Sequence, residues 1–472
     1  MPKGQLIIVP QAKKFSKIME QKEPLQATVQ ESVEEQILSP EEEAKLALQM
    51  EKELQKEREA AMMASFFRIH DFLVAHSSMP IRRQLMDEIN WDDRLIAIKG
   101  GRGVGKTDFL LTRIKEIEDE WRNAPKPDYR GRRKPKENRD ARPCLYVSFN
   151  DFYFTRHTLV DLASVFVRSG GKYLFLDQLF KYPHWSRELK RCYNKFKDLH
   201  IVFCATPVMP IDEDNNDLKG IVNTYNLRGF SFREYLNLQT GLRLRSYTLE
   251  EIIQRHASIS REISERVHPL TYFRDYLDHG YYPSYLESKS FEAELLKVMN
   301  SQLEVDVLMI KQIDVACLHK LRKLLYILIE DAPCALNVSS ISEEIGLSRA
   351  TTMNYVKYLK DSRLINLLYP EGKNFPMKPT KVYMHNTNVA RMDFTRTIAP
   401  IDLYETCFYT FVHSAHKVNA TERSAMFFVD NQYYFDVHEK PSVRDTIRPT
   451  AVGELELGRG NQIPLWLLGF LY

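Results

Sequence analysis

The sequence predicts an α/β protein: a parallel sheet flanked by helices around a phosphate-binding loop, then a helical region, then a small α+β region. Three observations predict it. The apolar run Leu95-Ile96-Ala97-Ile98 leads through Gly100-Gly101-Arg102-Gly103-Val104-Gly105-Lys106-Thr107 into a helical stretch, Asp108–Glu120. A second apolar run, Gly171-Lys172-Tyr173-Leu174-Phe175-Leu176, ends on Asp177, the pattern of a buried parallel strand that carries a carboxylate at its tip. Finally, residues 338–360 carry helix-turn-helix spacing and are followed by two short strand patterns, Leu364-Ile365 and Lys381–Met384.

Composition sets the outer bounds. With 472 residues, 44% of them hydrophobic and 11% aromatic, the chain has material for about three domains of roughly 150 residues. Lys and Arg number 66 and Asp and Glu 63, a net charge of +3. No global field therefore marks a nucleic-acid partner, and such a partner would need a local patch. The six cysteines form no C-x-x-C pair, which excludes a zinc ribbon and points to reduced, mostly buried thiols. No apolar run approaches the roughly 18 residues of a membrane span, and the N-terminus lacks a signal peptide's apolar core. The expectation is a soluble cytoplasmic protein with no membrane partner.

Residues 1–38 mix Lys, Gln, Glu and Pro without periodicity, apart from Leu6-Ile7-Ile8-Val9, and read as a mobile arm. Ser39-Pro40-Glu41-Glu42 is a capping box with proline at the first helical position, so a charged helix is expected over 39–64. That helix is a solvated face or a partner-binding coiled coil. From Phe66 to Ile89 apolar residues recur at helical spacing, with Ile69, Phe72 and Leu73 expected to pack on the domain that follows.

That domain is expected over 65–245. G-x-x-x-x-G-K-T between a strand and a helix is a complete Walker A motif. Its glycines let the backbone close on a phosphate chain, and the span Gly100, Gly101, Arg102, Gly103, Val104, Gly105, Lys106, Thr107 and Asp108 is the candidate cradle. Lys106 supplies charge to the β- and γ-phosphates. The Thr107 hydroxyl is a natural Mg²⁺ ligand, and the helix N-terminus adds its dipole. Asp177, as Walker B, is the second candidate for the metal. The position after it usually holds Glu where ATP is hydrolysed; here it is Gln178, whose amide orients water but takes no proton. Cys144–Phe149 and His200–Ala205 are further strands. Thr206 ends the latter, either as a sensor of the γ-phosphate or as an ordinary strand-end hydroxyl.

The segments G-G-R-G-V-G-K-T-D-F-L-L, Y-L-F-L-D-Q-L-F-K-Y-P-H-W-S-R-E-L-K and L-R-G-F-S-F-R-E-Y-L resemble those of a bacterial and archaeal AAA-type ATPase family. Its members couple a P-loop domain to a winged helix and a C-terminal domain related to restriction-type nucleases. The resemblance covers about residues 66–472 and implies ATP binding. It makes Lys106 and Thr107 the Walker A pair and Asp177 the Walker B aspartate. Gln178 stands where the family carries glutamate, Ala205-Thr206-Pro207 where it has Gly-Ser-Ser, and Lys219-Gly220-Ile221 where it has an arginine. Arg228 and Arg233 remain as cationic candidates. All three departures fall on hydrolysis and none on phosphate cradling. The expectation is an ATP·Mg²⁺-dependent switch with impaired turnover. An active ATPase and a DNA-associated binding protein are the alternatives, and a homo-oligomer or protein partner is left open.

Between the Walker motifs, Arg130, Arg132, Arg133, Lys134, Lys136 and Arg139 form a basic loop broken by prolines, a solvated surface or a nucleic-acid contact. Residues 246–390 are expected to form a helical lid and the winged helix. Arg349, Thr352, Asn354 and Lys357 would face a DNA major groove if that module binds DNA rather than packing as a lid. Residues 391–472 suggest a small mixed sheet with strands at Met426–Val429, Tyr433–Val437 and Ile463–Phe470. Asp436 with Glu454 or Glu456 would be its nuclease carboxylates, but the lysine of a Glu-x-Lys motif is missing, so a degenerate domain is expected.

Overall fold

The computed structural model describes residues 40–77, 80–123, 142–211, 217–286, 290–392, 397–421 and 425–472. The arm at 1–38, the capping residue Ser39 and the basic residues Arg130–Arg139 lie outside them. The chain divides into two units, Met1–Glu59 and Ala60–Tyr472. A helix is assigned from Pro40 to His76. Its described part in the first unit is almost wholly exposed, Leu48, Met50 and Leu54 included, on a stretch dominated by the helix formers Ala, Glu, Lys and Gln.

Within the second unit, the end of this helix buries Met63, Phe66 and His70. That spacing of three and four selects one face. Ile69 and Phe72, expected to pack, are instead 43% and 61% exposed. They lie off that face, and only Leu73 of the expected trio packs on the core.

Five parallel strands follow: β1 (Leu95–Lys99), β2 (Cys144–Ser148), β3 (Tyr173–Asp177), β4 (His200–Ala205) and β5 (Asn223–Asn226), in the spatial order β2-β3-β4-β1-β5. Alternation sends Ile96 and Ile98 to one face of the sheet and Leu95 and Ala97 to the other, and both faces are covered, as a parallel sheet requires. The order places β4 between the strand feeding the glycine loop and the strand ending in Asp177. All three open at their carboxyl ends onto the same edge. The helix after the loop, Lys106–Asn123, buries Phe109, Leu110, Leu111, Ile114 and Ile117 against the sheet.

Beyond the sheet, helices Leu318–Asp331, Val338–Ile345 and Arg349–Asp361 lead into the antiparallel pair β6 (Ile365–Leu368) and β7 (Lys381–Met384). Gly346 turns the chain at φ +64, where a side chain would be strained. The C-terminal sheet contains β8 (Val418–Asn419), β9 (Phe427–Val429), β10 (Tyr433–His438), β11 (Thr450–Val452) and β12 (Gln462–Pro464), in the order β12-β11-β10-β9-β8. It is mixed, with β10, β11 and β12 parallel and β8, β9 and β10 antiparallel. The run Ile463–Phe470, expected as one strand, ends its pairing at Pro464 and turns into the helix Leu465–Leu468. Every residue of that run is buried or nearly so, so no alternation distinguishes strand from helix there.

The core of this sheet is shared with residues 230–277. Phe232 is fully buried among Phe273, Tyr276, Trp466 and Phe470 at centroid distances of 5.1 to 6.5 Å. Phe232→Ala should destabilise the chain by about 3–5 kcal/mol. A lowered unfolding midpoint in chemical denaturation checks this, and an unchanged midpoint contradicts it.

Candidate functional site

The glycine loop begins where β1 ends. Gly100 donates its N–H to Ala205 O of β4 at 3.0 Å, and a Cβ on Gly100 would lie 2.6 Å from Leu227 O, so only glycine fits. Gly103 and Gly105 take φ of +77 and +86, which turns the intervening amides inward. Inside the loop, the Lys106 ammonium donates to Gly100 O at 2.8 Å and Gly101 O at 2.7 Å. Burial holds its pKa below the ordinary lysine value, against the raising influence of Cys204, Asp177 and Asp306.

Thr107 Oγ1 donates to Asp177 Oδ2 at 2.6 Å, so the two candidate metal ligands from Walker A and Walker B meet. Tyr146 OH donates to the same carboxylate oxygen at 2.9 Å, and Gln178 N donates to Oδ1 at 2.7 Å. Asp177 is buried, and these three donors fix the orientation of its side chain. Gln178 sits in the left-handed region at φ 57. A hydroxyl and a carboxylate in contact beside a buried ammonium are an oxygen donor set suited to Mg²⁺ and a polyphosphate.

These groups line a cavity of about 620 Å³. One end is polar and contains Arg102 through Asp108 (Val104 excepted), Asp177 and Gln178; the other is formed by Pro80, Leu238, Pro283, Ser284 and Leu286. The polar end has the chemistry for phosphates, and the largely apolar end suits a flat heterocycle.

Two arginines brace the loop. Arg102 forms a two-pronged pair with Asp306, Nε to Oδ2 at 3.2 Å and Nη2 to Oδ1 at 2.9 Å, and its guanidinium lies 5.2 Å from the Phe180 ring centroid. Asp306 is fully buried in the π-helical segment Gln302–Met309; burial raises its pKa, while Arg102 and Lys106 oppose that rise. Arg83, buried on the other side, donates to Val104 O at 3.2 Å, to Arg228 O and Gly229 O, and to Glu234 at 3.1 Å. Gly103 lies against Tyr282 and Val298. Arg83 and Asp306 were missed in the sequence because their partners lie 151 and 204 residues away.

Other candidates fall elsewhere. Thr206 is buried at the end of β4 with its hydroxyl unpartnered, and it does not line the cavity. Arg233 is structural: it donates to Tyr472 O, Leu244 O and Gln84 Oε1. Arg228 borders a different cavity, with its guanidinium 5.6 Å from the Tyr472 ring centroid. Neither reaches the Walker residues as a finger. In the helix-turn-helix, Arg349 and Asn354 are exposed, but Thr352 is fully buried and cannot face a groove. Lys357 lies over the Phe375 ring at 4.9 Å.

The nuclease carboxylates are not brought together. Asp436 pairs with Arg448 at 3.3 Å, and Glu456 with His268 at 3.0 Å. Asp436 is opposite Thr450 in the β10–β11 register. Glu454 lies in the turn after β11 and donates its N–H to Glu439 O, three residues past Asp436. Among the described residues no group of three or more His, Cys, Asp or Glu is placed to hold a metal ion.

Residues 92–236 match the AAA domain family, and residues 270–391 match a family described as a domain of unknown function, DUF8612. The uncharacterized protein MJ1637 of Methanocaldococcus jannaschii is 24% identical over 306 residues, covering 62% of this chain and 60% of the relative. The chain thus aligns with about three fifths of that relative's length. Among solved structures, Aeropyrum pernix Orc1 in complex with DNA is similar at 10% identity and a TM-score of 0.27, over 70% of this chain and 92% of that one. The Saccharomyces cerevisiae Hsp104–ADP complex is similar at 14% identity and a TM-score of 0.24, over 71% and 55%. Residues 92–236 are an AAA-type P-loop domain, and among the described residues no helix is long and apolar enough to cross a membrane.

Arg102→Ala leaves Asp306 buried without its partner and should cost about 3–5 kcal/mol. Adding Asp306→Asn removes the stranded charge, so the double variant should regain part of the loss. Unfolding midpoints of the full chain check this, and a double variant no more stable than Arg102→Ala contradicts it.

Proposed function

We propose that this AAA-type P-loop chain binds ATP·Mg²⁺ as a conformational ligand and turns it over slowly or not at all. The observation that carries this reading is Gln178. It lines the cavity immediately after Asp177, at the position where a catalytic carboxylate would accept a proton from water, and it presents an amide instead. Binding has the groups it needs; proton transfer does not.

In this reading the loop amides and Lys106 take the phosphates, and the ammonium leaves the carbonyls of Gly100 and Gly101 for them. Thr107 and Asp177 would hold Mg²⁺, which neutralises charge across the β- and γ-phosphates. Thr206 would sense the γ-phosphate only if the end of β4 moved toward the cavity. The switch runs through Arg102. A phosphate beside its guanidinium competes with Asp306, and Asp306 belongs to the helical region that also covers Gly103 through Tyr282 and Val298. ATP then favours one arrangement of that region over another, which is all a ligand-driven switch requires. The three-helix and β6–β7 segment is read as a winged helix acting as part of this lid.

Steady-state hydrolysis tests the reading. The native chain should be slow, and Gln178→Glu should raise turnover roughly 10²-fold or more by restoring a base; equal and substantial rates in both would refute it. A linked proton gives a second test. Because burial depresses Lys106 and a bound triphosphate raises it, ATP binding in alkaline solution should take up a proton. Affinity should then fall as pH rises through the depressed value. Calorimetry at alkaline pH in two buffers of different ionisation enthalpy should show that uptake, and buffer-independent heats would contradict it.

A further inference from the structure

A second concave surface lies apart from the nucleotide cavity and shares no lining residue with it. A cavity of about 490 Å³ lies between the ends of β1 and β4 and the helix Pro400–Val412, and one of about 400 Å³ lies beside it at β6. The two share Lys360, Asn366 and His413, so they adjoin one another, and together they are termed the groove. Lys99, Arg228, Lys311, Lys360 and Arg363 line the first part, and Lys357 and Lys373 join in the second. Among the described residues the one acidic side chain on these walls is Asp361, 3.7 Å from Lys360. A chain with a net charge of only +3 has thus placed seven cations in one groove.

Among these cations, Arg363 is fixed. Arg363 occupies the left-handed region at φ 63 and donates to Asn226 Oδ1 at 2.8 Å. Burial first, then the neighbouring charges of Arg363 and Arg228, holds His385 well below the ordinary imidazole value. Partly exposed aromatic rings lie along the same path, Tyr472 in the first part and Tyr369 and Phe375 in the second, with Phe375 beneath Lys357, while Tyr281 on the first wall is buried.

We propose that this groove binds a single strand of nucleic acid, its phosphates on the lysines and arginines and its bases against the aromatic rings. Cations that track a backbone together with stacking platforms are the physical requirements for single-strand binding. The inference goes beyond the nucleotide reading and does not depend on it.

Fluorescence polarisation of the full chain with labelled oligo-dT, across a salt series, tests it. Binding should weaken with salt at a slope near −0.7 per phosphate contact in log–log form. The Lys360→Glu, Lys373→Glu double variant should lose at least tenfold in affinity and flatten that slope. Phe375→Ala should weaken binding with the slope unchanged, and Lys106→Ala should bind as the native chain does. A retained unfolding midpoint in the double variant excludes simple misfolding. The proposal is overturned if oligo-dT does not bind at low salt, if the double variant binds normally, if duplex of the same length binds as tightly, or if pyrophosphate alone displaces the strand at equimolar levels.

Discussion

The fold around the candidate site depends on one constraint. A backbone loop must turn its amides inward between the end of β1 and the start of a helix while a buried lysine sits at its centre. A buried ammonium is costly unless it is hydrogen-bonded, and Lys106 meets that requirement with the carbonyls of Gly100 and Gly101. The partners are neutral carbonyls of the same loop, so a charged phosphate can replace them. The strand order supports this geometry: β4 fills the space between β1 and β3, and Asp177 reaches Thr107 across that gap.

The loop is also held from outside the motif. Arg83 grips Val104 O while tied to Glu234, and Arg102 grips Asp306. One brace anchors the loop to the segment shared with the C-terminal core, and the other anchors it to the π-helical turn. Irregular helical turns often occur at functional positions. Here the irregular turn carries the one buried acid that a phosphate-loop arginine needs. Phosphate recognition and the placement of the helical region thus meet in a single ion pair.

Much of this was legible in the sequence, for physical reasons that can be named. The Walker A and B strands are short, apolar and bounded by glycine or a carboxylate, and both faces of the sheet are buried, so local pattern matches structure at Leu95–Lys99 and Tyr173–Asp177. The edge strand Asn223–Asn226 is polar and partly exposed, so it carries no apolar signal. The run after Ile463 is buried throughout, which hides the change from strand to helix at Pro464. Ile69 and Phe72 are apolar at helical spacing but lie one step off the face defined by Phe66 and His70. Asp306 and Arg83 act through partners distant in the chain, and Thr352 is buried by tertiary packing that helical spacing alone does not reveal.

The central claim is that a ring of backbone amides with one ammonium grips a triphosphate. Titration calorimetry of the native chain and Lys106→Ala with Mg·ATP tests it most directly. The account predicts saturable one-to-one binding in the native chain and a loss of roughly two orders of magnitude in the variant, the scale of a buried charge left without its partner. No binding heat in the native chain, or equal affinities in both, would contradict it.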